Sequence, residues 1–146
     1  MNLNLKDLTR EVLEKGYLMT LAVSDEHGAW AADVIYVFDD EMNLYWMSDP
    51  DTRHSTAITT DSQVAGTITV SNRGEGNLGL QFSGVAEKID GARYDLATKH
   101  FAKRNKPLPK ETDDVLDGDS WYVLKITKLF LIHEKYFGFK RQEVRR

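Results

Sequence analysis

The sequence predicts a mainly β fold: a small closed or partly closed antiparallel barrel of six to seven strands with two or three peripheral helices. Three observations carry this. Strand-like segments outnumber helical ones, short polar turns join consecutive strands, and Gly84 lies inside a strand where a barrel needs a corner. The elements follow in order. Leu5, Leu8, Val12 and Leu13 recur at i, i+3, i+7 and i+8, the stripe of an amphipathic helix that Asn4 can cap and Gly16 can end. The period then changes. Residues 17–24 and 29–38 read as strands around the turn Asp25-Glu26-His27-Gly28, and a second turn at 39–43 leads into a short apolar strand at 44–47. Two hairpins in succession predict a meander.

Pro50 stops that strand, and Asp51 or Thr52 can cap a short helix running to about Thr60. Residues 63–71 alternate with Val64, Gly66, Ile68 and Val70 on one face; a loop follows at 72–77, and Leu78, Leu80 and Phe82 alternate on the next strand. Asp90 can cap a helix carrying Tyr94, Ala97 and Phe101 inward. Residues 106–118, with Pro107 and Pro109, read as a polar excursion over the surface. The last strands are 121–126 and 129–132, and 136–146 is an aromatic-then-basic tail. No linker or internal repeat divides the chain, so residues 1–146 read as a single domain.

Composition excludes several functions. Lys and Arg total 19 against 23 for Asp and Glu, a net charge of -4, which gives no bulk field for a polyanion and disfavours nucleic acid as a partner. The absence of cysteine excludes disulfides, thiolate metal sites and a cysteine nucleophile. The N-terminal residues carry no basic-then-apolar leader pattern, and no apolar run reaches the length of a membrane span. A soluble, cytoplasmic protein with no membrane association is expected.

Few constellations carry chemistry. The four histidines lack metal-ligand spacing, and His27, His100 and His133 read as surface or rim residues. Gly74-Glu75-Gly76 is too short for a dinucleotide fingerprint, and Ser55 and Ser62 lack an elbow-like glycine context. Most carboxylates fall in turns, where they normally sit in water. Residues 48–54 differ. A helix start gathers unpaired N–H groups and the positive dipole end, and Thr52, Arg53 and His54 add a hydroxyl, a guanidinium and an imidazole there. Spacing alone suits an anion site and an exposed cap of solvated charges equally. The adjacent segments 33–36 and 44–48 offer aromatic and apolar walls for a flat ring, although core packing explains most of those side chains.

Four stretches, Thr20 to Gly28, Ala32 to Asp40, Leu44 to Ser55 and Phe82 to Glu87, together with the order of elements, resemble the pyridoxamine 5′-phosphate oxidase-like FMN-binding split-barrel family. The resemblance implies a split β-barrel that binds FMN between the subunits of a homodimer and acts as an oxidoreductase on a small molecule. It assigns the FMN phosphate to Thr52, Arg53 and His54, the isoalloxazine walls to Val34, Ile35, Tyr36, Trp46, Met47 and Ser48, and a weaker polar contact to Gln81. An apolar patch of Trp30, Phe38, Tyr45 and Trp46 gives an independent reason to expect a dimer. The chain also departs from the family's oxidases. Ala32, Asp33 and Val37 stand on the strand that carries basic residues there, and the C-terminal Trp/Arg/His substrate motif is missing, with Lys140 or Arg141 as a substitute source of charge. Pyridoxamine phosphate oxidation is therefore not expected. The alternatives are a non-catalytic barrel holding flavin, haem or a deazaflavin, or an OB-like barrel binding single-stranded nucleic acid through Trp30, Tyr45, Trp46 and the basic tail.

Overall fold

Inward alternation builds the barrel wall. The computed structural model describes residues 3–146. Strand β1 (Leu18–Asp25) turns Met19, Leu21 and Val23 inward, β5 (Gln63–Thr69) turns Val64, Gly66 and Ile68, and β6 (Leu78–Ile89) turns Leu80 and Phe82. The remaining strands are β2 (Gly28–Ile35), β3 (Val37–Phe38), β4 (Leu44–Ser48), β7 (Ser120–His133) and β8 (Gln142–Glu143). The antiparallel path runs β2-β1-β5-β6-β7-β4-β3, with β8 on β7. Its two ends, β2 and β3, are separated in the chain by Tyr36 alone, so the sheet has to curl until its edges meet there. That seam is covalent and carries no ladder of hydrogen bonds: the barrel is split.

Four helices accompany the strands: α1 (Leu5–Lys15), α2 (Arg53–Thr60), α3 (Tyr94–Lys103) and the single turn α4 (Glu134–Phe137). Asn4 caps α1 by accepting from the Asp7 amide (3.1 Å), and its stripe Leu8, Val12 and Leu13 packs on the main core. A second, smaller core of Val37, Leu96, Ala97, Val115 and Trp121 lies under α3.

Several expectations need correction. The strand expected over 29–38 breaks at Tyr36, because β2 pairs with β1 while β3 pairs with β4 at the opposite edge. The Tyr36 ring is fully buried, and its hydroxyl donates to the Leu13 carbonyl (2.7 Å). Lys103 and Lys99 of α3 donate to the Tyr36 and Phe38 carbonyls, so the outer rim of this edge is occupied. The two hairpins form but no meander results: β5 takes the other edge of β1, and β7 takes that of β4. The last two strands are one, β7, interrupted only in its pairing. Register jumps from Ser83↔Lys128 to Gly84↔Ile126, and Thr127 is the extra residue of a bulge. A Cβ on Gly84 would lie 2.2 Å from the Lys125 carbonyl oxygen, so this corner requires glycine. In the tail, read from the sequence only as aromatic then basic, β8 pairs with β7 and Val144 is buried.

Helix α3 starts three residues later than an Asp90 cap would place it, behind Arg93 in the left-handed region (φ 49). That shift rotates Leu96, Ala97 and His100 inward and leaves Tyr94 and Phe101 at the margin. His100, expected at the surface, is 4% exposed, with its ring edge-on to Trp121 (centroids 5.7 Å apart). Burial pushes its pKa down to about 4, and Arg104 and Lys103 push the same way. A histidine whose folded pKa is depressed stabilises the fold above its unfolded pKa near 6.5. Between about pH 6.5 and 4 the unfolded chain binds the extra proton, so stability falls as pH falls. Urea unfolding at stepped pH should show up to about 3 kcal/mol lost across that window, and His100→Leu should flatten the profile there. An unchanged profile in the variant would remove His100 as the cause.

Candidate functional site

The start of α2 gathers the polar groups that the sequence singled out. The Ser48-Asp49-Pro50-Asp51 turn leaves β4, and Thr52 takes the N-cap position in an extended conformation (φ -68, ψ 154). Its side chain does not cap the helix. The hydroxyl donates to the Asp49 carbonyl (2.9 Å) and is hydrogen-bonded to Ser55 Oγ (2.7 Å), so no side chain closes the first turn of α2. His54 Nε2 lies 3.0 Å from Ser48 Oγ and 3.5 Å from Thr52 Oγ1. Burial lowers the His54 pKa below the ordinary histidine value, which keeps the imidazole neutral at pH 7.

Arg53 points the other way, towards the β1–β2 turn. Its Nε donates to Asp25 Oδ2 (2.9 Å) and its Nη2 to Asp25 Oδ1 (3.1 Å), a two-pronged ion pair. The guanidinium also lies over the Trp30 ring, 4.4 Å from its centroid. The hydrogen bonds from Arg53 hold the Asp25 carboxyl below its ordinary value, and the His27 amide donating to Oδ1 acts in the same direction. A shallow groove of about 420 Å³ runs beside the pair, lined by Asp25, Glu26, His27, Asp51, Arg53 and Thr56.

Of the residues assigned by resemblance, the side chains of Ser48, Thr52 and His54 come together here, while that of Arg53, next in the chain, turns to the β1–β2 hairpin. The others divide by strand face. Tyr36 and Trp46 are fully buried and Val34 is 7% exposed, so these side chains belong to the main core, where Trp46 stacks on Tyr122 (5.7 Å). They cannot wall a ring outside the barrel with their side chains; only their backbone, and the half-buried side chains of Ile35 and Met47, face away from that core. Gln81 sits level with Thr20 through Thr67, two strands across from β1 and offset from Asp25 by five residues, about 16 Å along the strand direction alone at the ~3.3 Å rise. It lines a different groove, beside Phe139.

Trp46 is also withdrawn from the expected apolar patch and from any base-stacking role, since it has no exposed face. Large apolar residues that remain exposed include Tyr17, Leu18, Trp30 and Val85. Arg141, the substitute charge considered in the tail, lies over Phe130, 4.1 Å from its centroid. Sequence reading placed Asp25 only in a turn and Trp30 only in an apolar or stacking surface, and missed that both meet Arg53. A carboxylate in a turn gives no local sign of a partner 28 positions later.

The donor set suits an anion: an uncapped helix start, a hydroxyl, a neutral imidazole and one arginine. Charge suits it less. Asp25, Glu26, Asp49 and Asp51 outnumber the single arginine around the turn. The Asp119 carboxyl is raised above its ordinary value, by burial first and by the nearby Asp49 and Asp117 next. Among the described residues no group of three or more metal-ligating side chains is found.

No family model matches the chain. Over 138 residues it is 29% identical to a UPF0306 protein of Yersinia pestis, a match covering 93% of each chain. It is 32% identical over 94 residues to the UPF0306 protein YhbP of Salmonella schwarzengrund, covering 63% of this chain and 64%, less than two thirds, of that one. Among solved structures, the conserved hypothetical protein Rv2991 from Mycobacterium tuberculosis superposes with a TM-score of 0.80 at 12% identity, covering 100% of this chain and 94% of its own. HutZ from Vibrio cholerae, a haem storage protein, gives 0.67 at 17% identity, covering 88% and 95%. A candidate pyridoxamine 5′-phosphate oxidase from Listeria innocua gives 0.68 at 13% identity, covering 88% and 98%. At such identities the likeness is one of fold. The chain has the split-barrel fold that these solved structures share.

Proposed function

We propose that this chain is an FMN-binding split-barrel protein, an oxidoreductase acting on a small molecule, with its site completed by a second copy in a homodimer. The observation that carries this reading is the open first turn of α2, set between Thr52, Arg53 and His54 on a fold shared with a pyridoxamine 5′-phosphate oxidase candidate. In this reading the α2 amides, the Thr52 hydroxyl and Arg53 hold the phosphate. The backbone of Val34 and Ile35 and of Trp46, Met47 and Ser48 supplies donors and acceptors to the ring edge, while the Tyr36 carbonyl is held by Lys103 and Gln81 lines a separate groove. Bound FMN would supply the electron transfer; the chain supplies position and electrostatics. Exposed Tyr17, Leu18, Trp30 and Val85 support burial against a second copy. In this reading the chain works in the cytoplasm. Among the described residues no helix is long and apolar enough to cross a membrane.

An absorbance spectrum after incubation with FMN and desalting tests the reading. Retained flavin bands support it. A colourless protein that takes up neither FMN nor riboflavin overturns it, and a Soret band after incubation with haem would move it to the ligand named for HutZ. Light scattering should give twice the 16.7 kDa chain mass, and a monomer at micromolar concentration would overturn the dimer.

A further inference from the structure

A two-pronged carboxylate on the arginine expected to meet a phosphate is the observation the proposed function leaves unused. We propose that Asp25 is an intramolecular competitor of the anionic ligand: its carboxylate occupies the Nε–Nη2 edge of Arg53 and sets how tightly a phosphate group is held at α2. This rests on the phosphate position given above and adds the residue that tunes it.

The geometry supports the role on three counts. Arg53 spends two of its donors on Asp25, at 2.9 and 3.1 Å, and a guanidinium has only five. Its face is set against the Trp30 ring, so the side chain has little freedom to present its remaining donors elsewhere. The pair is also shielded, with side-chain exposures of 34% for Arg53 and 15% for Asp25, so water screens their interaction less than on an open surface. An arriving dianion therefore meets a guanidinium whose charge is already offset, beside the carboxylates of Glu26, Asp49 and Asp51. For the phosphate to gain the full strength of Arg53, Asp25 has to release its edge or share the guanidinium while repelling the newcomer across it.

Asp25 also has a separate structural duty that the test has to preserve. Its Oδ1 accepts from the His27 amide (2.9 Å) and shapes the β1–β2 turn. Asparagine keeps that acceptor and the side-chain volume while removing the charge, so Asp25→Asn isolates the competition from the turn. Its fold is checked by an unchanged thermal midpoint within a few degrees. If the midpoint falls further, Asp25→Ser, which also accepts from i+2 in such turns, takes its place.

The experiment titrates wild type, Asp25→Asn and Asp25→Asn/Arg53→Ala with FMN and with riboflavin, following quenching of flavin fluorescence. Asp25→Asn should bind FMN about ten-fold more tightly than wild type at low salt. Its riboflavin affinity should stay within two-fold, and the double variant should show no gain. Added salt should favour FMN binding less in Asp25→Asn than in wild type, since removing one of the four carboxylates lessens the repulsion that salt screens. Weaker FMN binding in Asp25→Asn would make Asp25 a positioning residue and overturn the proposal. Equal tightening for FMN and riboflavin would overturn it too, by showing an effect that bypasses the phosphate. Wild type binding neither flavin overturns the flavin reading itself, whereas wild type binding FMN with no change in Asp25→Asn overturns only the role given to Asp25.

Discussion

Trp121→Ala should lower the unfolding free energy by about 3–5 kcal/mol, the range for deleting a large buried aromatic ring. Trp121 has no exposed surface, fills the smaller core with Val37, Leu96, Ala97 and Val115, and donates from Nε1 to the Ala92 carbonyl (2.8 Å). Truncation removes the ring, opens a cavity beside His100 and leaves the Ala92 carbonyl without its partner. The loss should reach across the barrel, because β7 pairs Trp121 with Met47 on β4 and with Ile89 on β6. Domains of this kind are stable by only about 5–15 kcal/mol, so the variant should sit near the edge of folding at 37 °C. Trp121→Phe, which keeps most of the volume and loses the N–H, should lose only about 1–3 kcal/mol. Urea midpoints for the pair decide the matter. A loss under about 1 kcal/mol in Trp121→Ala would show that the α3 layer contributes little to the cooperative unit.

Arg53→Ala should weaken FMN binding roughly 10- to 150-fold, the equivalent of losing charge-assisted hydrogen bonds to the phosphate. Two effects add. The guanidinium disappears, and Asp25 is left as an unpaired carboxylate next to the phosphate position. Riboflavin, without the phosphate, should be almost indifferent to the change. His54→Ala should matter less for charge, because burial keeps the imidazole neutral and its contacts are to Ser48 and Thr52. Parallel titrations with FMN and riboflavin measure both variants. Unchanged FMN affinity in Arg53→Ala would take the start of α2 out of the site.

Much of this architecture was legible because it is local. A lone glycine within an alternating strand marked the bulge at Gly84, and Thr52 ahead of an apolar-spaced segment marked the start of α2 within a residue. Pairing partners were not legible. The run over 29–38 is rich in strand formers throughout, and strand-forming composition does not say which strand lies alongside. The break at Tyr36 exists because the two halves belong to opposite edges, a fact decided by β5 and β7 far along the chain. The site was half legible for a similar reason. Thr52, Arg53 and His54 are neighbours in sequence, whereas Asp25 and Trp30 reach Arg53 only through the packing of α2 on the β1–β2 hairpin. The resemblance placed Trp46 and Tyr36 at a ring wall, and in the folded chain their side chains face the core.

The position of β4 between β3 and β7 has a consequence for how the protein is made. Ser48 ends β4 and its partner Ser120 begins β7, 120 − 48 = 72 residues later. At a synthesis rate of about 5–20 residues per second, the β3–β4 hairpin emerges roughly 4–14 s before the strand that covers its inner edge. Over that interval β1, β2, β5 and α2 are all available to pack with one another, while β4 still presents unpaired amides and the apolar faces of Leu44 and Trp46. The nascent barrel is therefore an open, adhesive half-sheet until residues 120–133 arrive. During that wait it depends on whatever shields exposed strands at the ribosome exit.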